Sequence, residues 1–532
     1  MSPLTSGGGN SSNFQNKTGT ATDATVADSS EALAISDAPA PPSVPNKLLS
    51  PSTEETIISL QQFILFISRK LRRILARNGK VYVVVDDAGN VYVVLLRDRK
   101  VEKLIREWAH RNGLKIRKYE FNEIIEYLQA EAEMNGVKHD VYYRVAPIPG
   151  GIEIDLGDES HARVRITAGK VEIVTQNSTT LFCRNQAMQA MVRPAAKGDR
   201  ALLRKYLNLH PVDIMLFIAW LSYTLAHPKV LTSNYVILVL LGNQGSGKSW
   251  LCRLIRLLLD PSQIQVQLLP SKVSDLAIAA QNAHCLIFDN VRSFSQAMAD
   301  NLCVAATGGT ISGRQLYTDE GQHVLHLHVA LVLNGIHSFI EQPDLAQRCL
   351  PLDLLPLDES KRKSEVELNQ ELQADLPAIM RGLFDLIADI FKHLPTAEVT
   401  NPERMIDFVR WLAAFEQADG TPAGYYQAVY SDVLCQGQLH SLLENPLAAA
   451  VFEFAEDLAA SWSGTPAELL QQLNSRVTPG TQRSKEWPPN AIALSKRLIP
   501  LQPALQAQDI RVELGRAKHR IITITKLGDQ ND

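Results

Sequence analysis

Residues 234–250 read NYVILVLLGNQGSGKSW, and no other stretch of this chain restricts its fold as strongly. The apolar run from Tyr235 to Leu241 predicts a strand covered on both faces, as in parallel sheets. It leads into Gly242-Asn243-Gln244-Gly245-Ser246-Gly247-Lys248-Ser249, which satisfies G-x-x-x-x-G-K-[ST]. The next residues, WLCRLIRLLLD, are apolar on one side and predict a helix. Strand, glycine-rich loop and helix together make a phosphate cradle. Glycines let backbone N–H groups turn inward around phosphate oxygens. The helix start adds partial positive charge. Lys248 is placed for the β- and γ-phosphates, and the Ser249 hydroxyl for a metal ion. All eight residues from Gly242 to Ser249 are therefore candidate contacts for ATP with Mg²⁺.

Downstream residues fit the same chemistry. Ala283 to Phe288 (AHCLIF) predicts a second buried strand, and it ends in Asp289-Asn290. A strand ending in Asp about 40 residues after such a loop is the expected Mg²⁺-organising carboxylate. Asn290 stands where a second acid would polarise the attacking water; an amide orients water but does not take its proton. Val329 to Leu333 predicts a third strand ending in Asn334, which could contact the γ-phosphate or lytic water, or simply begin an Asn-Gly turn. Arg348 follows in PDLAQRCLPLDL, as a finger for a neighbouring subunit's nucleotide or a surface arginine. Between the second and third strands, extended stretches flank Asp319-Glu320-Gly321 and predict a hairpin. Arg314, Tyr317 and His323 on it are the expected DNA contacts. His326 and His328 alternate on one strand face, but no third ligand for a metal is evident.

The rest of the 532 residues bounds the class. This length suggests roughly three or four domains. Hydrophobic residues make up 45% and charged residues 21%, which excludes a fully disordered chain, a collagen and a small disulfide scaffold. The net charge of −4 means that any basic surface must be local. Six cysteines occur without a C-x-x-C pair, which fits a reducing compartment. The most apolar stretch, Ile214 to Ala226, is shorter than the ~20 residues a membrane span needs. The first residues show no secretory pattern. The protein is expected to be cytoplasmic, with no membrane partner.

Residues 1–52, rich in Ser, Gly, Ala and Pro, are expected to be a disordered tail. Residues 53–205 are expected to form a mixed α/β domain. Within it, IISLQQFILFISRKLRRILARNG predicts one helix ending at Gly79, followed by a hairpin, KVYVVVDD-AGN-VYVVLLRD. Two helices and several short strands follow. Segment 61–120 holds 15 Lys and Arg against 6 Asp and Glu, either a phosphate-tracking surface or a solvated helix face. Residues 206–360 carry the phosphate site, and 361–440 predict a helical lid or linker.

Residues 441–532 read as three helices followed by a hairpin, IRVEL-GRAKHR-IITIT, with a basic tip. That order predicts a winged helix-turn-helix. Lys496, Arg497, Arg516, Lys518 and Arg520 are its candidate DNA contacts, although a winged helix also serves as a protein-docking module.

The order GNQGSGKS, FDN, hairpin insert, VLNG and a following Arg resembles superfamily 3 AAA+ helicases, and most nearly the phage- and plasmid-type primase-helicases of bacterial mobile elements. FDNVRSFSQAMADNLCVAATGG, RQLYTDEG, PDLAQRCL and WPPNAIALSKRL carry the resemblance, which spans roughly residues 60–526. It implies an α/β multidomain chain: an AAA+-like P-loop ATPase core, an N-terminal α+β domain and a C-terminal winged helix. It implies a DNA helicase acting as a hexameric ring on single-stranded or forked DNA, with a separate primase alongside. Lys248 and Ser249 would bind nucleotide and metal, Asp289 would hold Mg²⁺, Asn334 would be the sensor and Arg348 the finger. Two departures stand out. Asn290 replaces the usual second acid, and the low-complexity segment 1–52 stands where larger relatives carry a primase-polymerase domain. A nucleotide-gated DNA-binding or helicase-loader protein with weak hydrolysis is the alternative. A small-molecule P-loop kinase fits neither the hairpin nor the C-terminal unit.

Overall fold

In a computed structural model of the chain, residues 59–527 are described, apart from 88–89, 136, 177, 231, 315–321, 338, 358–362 and 517–519. The expectation for 1–52 lies outside them.

The chain enters through α1 (Leu60–Lys70), where Ser59 and Gln62 form a capping box. Leu71 is extended, and β1 (Arg73–Ala76) follows at once. The single helix expected up to Gly79 is thus a helix of half that length and a strand. The apolar positions 71, 74 and 75 fit a helical face and a short buried strand equally well. β2 (Val81–Asp87) and β3 (Asn90–Leu95) form the expected hairpin. Helices α2 (Arg99–Arg111) and α3 (Lys118–Met134) follow, and β4 (Lys138–His139) returns parallel to β1. The sheet order is β3-β2-β1-β4. The helices cover one face with Phe63, Ile67, Ile105, Ile124 and Leu128.

A second sheet is an antiparallel meander of β5 (Val145–Ile148), β6 (Gly151–Asp155), β7 (Arg163–Thr167) and β8 (Lys170–Val174). Its apolar face joins one continuous core with α4 (Pro211–Ala226). Nearly every α4 side chain is buried, which explains an apolar helix too short for a membrane. Among the described residues no helix is long and apolar enough to cross one.

The central sheet is parallel. It comprises β9 (Ile237–Leu241), β10 (Cys285–Phe288), β13 (Ala330–Asn334) and β14 (Cys349–Asp353), in the order β10-β13-β9-β14. Helices α5 (Lys248–Leu259), α6 (Val273–Gln281), α7 (Gln296–Thr307) and the short α8 (Pro343–Ala346) connect it. The predicted hairpin is present as β11 (Gly309–Arg314) and β12 (Gln322–Leu327). Long helices α9 (Glu365–His393), α10 (Ile406–Asp419) and α11 (Tyr425–Glu444) pack onto this core through Phe384, Trp411 and Tyr430.

The C-terminal unit holds α12 (Pro446–Glu456), α13 (Pro466–Asn474), α14 (Pro479–Gln482), α15 (Ala491–Leu498) and α16 (Gln502–Gln506). Its sheet orders β15 (Ser461–Gly464), β17 (Arg520–Lys526) and β16 (Ile510–Arg516). As Pro500 and Pro503 predict, the text after α15 breaks into a 3₁₀ turn before α16.

One buried ionic cluster ties the meander to the central sheet. Asp260 caps the far end of α5 and is wholly buried. Its Oδ1 accepts from Arg144 Nε at 3.1 Å, and its Oδ2 accepts from the His284 N–H at 2.7 Å. Arg144 has φ +63 and also donates to the carbonyls of Asp155, Gln189 and Pro261. Removing one partner of such a cluster leaves a buried charge alone. Asp260→Ala should therefore cost about 3–5 kcal/mol of stability, read as a lowered urea midpoint by circular dichroism.

Candidate phosphate site

Three strand ends converge at the carboxyl edge of the parallel sheet, the usual ligand crevice of such sheets. β9 runs into the glycine loop, β10 into Asp289, and β13 ends on Asn334. Gly245 (φ +81) and Gly247 (φ +91) take left-handed conformations that a Cβ would strain. Gly242 has φ +146, and a Cβ there would lie 2.9 Å from Ser246 Oγ. Gly247 is the N-cap of α5 and caps nothing with a side chain. The first N–H groups of α5 thus lack intrahelical acceptors and face the loop.

The charged groups are held without an ordinary counter-ion. Lys248 Nζ donates to the carbonyls of Gly242 at 2.6 Å and Asn243 at 2.9 Å. Burial pulls its pKa below the usual lysine value, and Asp289 opposes that shift. Ser249 Oγ donates to Asp289 Oδ2 at 3.2 Å. That pair joins the loop strand and the acid strand across β13. The Ser246 hydroxyl is buried and has no hydrogen-bond partner. Left-handed glycines, an orphan hydroxyl, a lysine on neutral carbonyls and a hydroxyl–carboxylate pair fit a nucleoside triphosphate with its Mg²⁺. Asn243 and Gln244 sit on the exposed outside of the loop.

Asn334, the expected sensor, is the last residue of β13. It is 1% exposed. Its Nδ2 donates to Cys252 Sγ at 3.2 Å, and its Oδ1 accepts from the Asn290 N–H at 3.4 Å. It therefore ties the loop helix to the turn after Asp289. Burial pushes the Cys252 thiol up to about 12, so it stays protonated. Asn290 has φ +56, a conformation that Asn tolerates better than most residues. This backbone demand is a second reason for an amide at that position.

Arg348 lies at the opposite edge. β14 runs parallel to β9 with Cys349 beside Ile237 and Asp353 beside Leu241. The Arg348 carbonyl accepts from Ile237 N–H at the start of β9. The strand between that point and the loop is about 13 Å long. Arg348 Nη1 donates to Asp344 Oδ2 at 2.6 Å and to the Asp344 carbonyl at 2.7 Å.

The expected DNA contacts are partly outside the described residues. Arg314 and His323 stand on the hairpin, opposite Gln322 and Gly313, but their side chains are not among those described. Tyr317 lies wholly outside. The same holds for Lys518, and for the side chains of Arg516 and Arg520. Lys496 is exposed on α15. Arg497 instead turns back onto the carbonyls of Lys485 and Glu486, which stiffens the loop before α15. Arg483 and Lys485 are exposed on that loop, and the sequence reading did not single them out. Their signal was local, two basic residues just ahead of a capped helix.

Residues 202–435 match a family model described as actinomycete integrative conjugative element replication protein. Residues 447–531 match the model of the C-terminal domain of that same protein, AICE RepA. The chain is similar to replication proteins of mobile elements. This agrees with the sequence resemblance at that level. The first two sheets fall entirely before the matched residues. No curated protein matches the chain. Among solved structures, the NrS-1 C-terminal region is 13% identical and covers 88% of this chain and 98% of its own, with TM-score 0.37. JCV helicase is 14% identical over 44% of this chain and 63% of its own, with TM-score 0.24.

The left-handed backbone at Asn290 gives a test of its role. Asn290→Gly should leave the fold within about 1 kcal/mol of wild type, whereas Asn290→Val should cost about 1–3 kcal/mol through strain. Thermal midpoints of the two variants check this.

Proposed function

We propose that the protein is an ATP-driven motor acting on DNA in replication of a mobile element. One observation carries the reading. The glycine loop, Lys248, Ser249 and Asp289 gather at one edge of the parallel sheet, while Arg348 stands at the other. An arginine so placed does not reach the nucleotide of its own chain. It serves a second copy, in a closed ring of several copies, expected to be six.

In this reading the α5 N–H groups and Lys248 bind the β- and γ-phosphates. Ser249 and Asp289 would hold Mg²⁺, which would offset the charge of the phosphates. Asn334 acts from behind, fixing the turn of Asp289-Asn290 against α5. Arg348 of the adjoining copy stabilises the charge that develops in the transition state. The β11–β12 hairpin, with Arg314, Tyr317 and His323, follows the nucleotide state and moves single-stranded or forked DNA. The C-terminal unit is read as a winged helix that docks on duplex backbone through Lys496 and the basic hairpin tip. A separate primase would act alongside.

The second reading is a nucleotide-gated DNA-binding or loader protein. Asn290 favours it, because no adjoining acid takes the proton of the attacking water.

ATP turnover with and without single-stranded DNA separates the readings. Turnover stimulated by DNA and lost in Lys248→Ala supports the motor. Tight ATP binding with negligible turnover supports the gate. Arg348→Ala should lose turnover about 10³-fold or more while still binding ATP; normal turnover in that variant removes the finger. Lys496→Ala should weaken duplex binding equally for all sequences and lower the salt slope by about 1, checked by titration over a range of salt.

A further inference from the structure

The corner that holds Arg348 contains a second guanidinium. Arg404 lies in the loop before α10, on the helical layer, 56 residues from Arg348. Its Nη1 pairs with Asp344 Oδ1 at 2.6 Å and donates to Gln347 Oε1 at 3.0 Å. Arg348 takes the other oxygen of the same carboxylate, also at 2.6 Å. Asp344 thus bridges two arginines, and the cluster keeps one net positive charge. Burial works against its charge, but hydrogen bonds from Arg348 and Cys303 and the charges of both arginines hold its carboxyl below the usual range.

The two differ in access. The Arg348 side chain is 12% exposed, and its Nε is buried with no partner. The Arg404 side chain is 40% exposed. A group that meets a phosphate on another copy has to stand at the surface. We infer that Arg404 is the outer member of a two-arginine clamp and the first to meet the terminal phosphate of a neighbouring copy's nucleotide. Asp344 is the positioning residue. It aims Arg404 outward and is itself anchored from behind by Arg348. A phosphate arriving at this corner competes with Asp344 for both guanidiniums, and planar guanidinium forks suit phosphate oxygens. Because Arg404 belongs to the helical layer and Arg348 to the parallel sheet, one phosphate pulls on both. Nucleotide in one copy thereby reports on how these two parts of the next copy are set.

This inference rests on the motor reading, and the experiment keeps the two apart. ATP turnover is measured for wild type, Arg404→Ala, Arg404→Lys and Lys248→Ala, and for an equal mixture of Arg404→Ala with Lys248→Ala. Arg404→Ala should lose turnover by roughly 10²–10³-fold, the scale of losing one donor to developing charge. Its ATP affinity and thermal midpoint should match wild type. Arg404→Lys should recover only part, since lysine keeps the charge without the fork. The mixture should turn over faster than the average of its two parts. An intact loop in the Arg404→Ala copy then meets an intact clamp in the Lys248→Ala copy. A merely structural role for Arg404 gives no such rescue. Wild-type turnover in Arg404→Ala, or a mixture no better than its parts, overturns the inference and leaves the motor reading standing. A wild type without turnover overturns both.

Discussion

Asp260 closes the helix that Lys248 opens, and that single residue decides how the phosphate loop is mounted. Its carboxylate is out of water, so its charge is tolerable only because Arg144, Arg256 and the His284 N–H surround it. Each of these comes from a different place. Arg144 precedes the first strand of the meander. Arg256 sits one turn back on α5 and donates to the carbonyls of Gln265 and Cys285. His284 precedes the strand that delivers Asp289, and burial lowers its pKa to about 4, so the ring stays neutral. The loop helix, acid strand and meander are thus locked around one buried charge. A helix held at its far end in this way keeps its N–H groups aimed at a fixed point. That pre-orientation is what a phosphate site requires.

The site edge carries a second, smaller tie. Asn334 holds Cys252 on one side and the Asn290 N–H on the other. Its burial makes it a brace between the two halves of the site. Asn290 is more than a missing acid in this light. Its φ of +56 is set by the turn that presents Asp289, and an Asn satisfies that turn at low cost. The backbone requirement and the chemical consequence fall on the same residue.

The strand, glycine loop and helix of residues 237–259 were legible because their signal is local and redundant. β9 is buried on both faces, so it reads as an unbroken apolar run, and the glycines at 245 and 247 are needed for their φ. The β2–β3 hairpin was legible from two apolar runs around a short turn, and the β16–β17 hairpin from alternation. β15 was not. Its residues SWSG carry little apolar signal, and the strand exists because Trp462 and Gly464 pair with Ile524 and Ile522. The boundary between α1 and β1 was hidden for a related reason, since Leu71, Ile74 and Leu75 suit either period until the pairing of Arg73 with Val83 decides it. The Asp260 cluster joins positions 116 residues apart, with no motif to mark either. By contrast the Asp344–Arg348 pair has helical i,i+4 spacing and could have been read directly. What it could not reveal is that Arg404 shares the same carboxylate.

Parallel strands give this sheet two chemically different edges. Loops at the carboxyl edge collect backbone N–H groups, Lys248 and the Ser249–Asp289 pair, which together suit a polyanion with a bound cation. The amino edge at β14 collects two arginines around one acid. Both edges therefore favour phosphate, yet the length of β9 separates them. In the motor reading one molecule does not bring both to the same nucleotide, and two copies side by side would. In the motor reading the polarity of this four-stranded sheet favours association, because each copy would hold half of the charge that its neighbour's nucleotide needs.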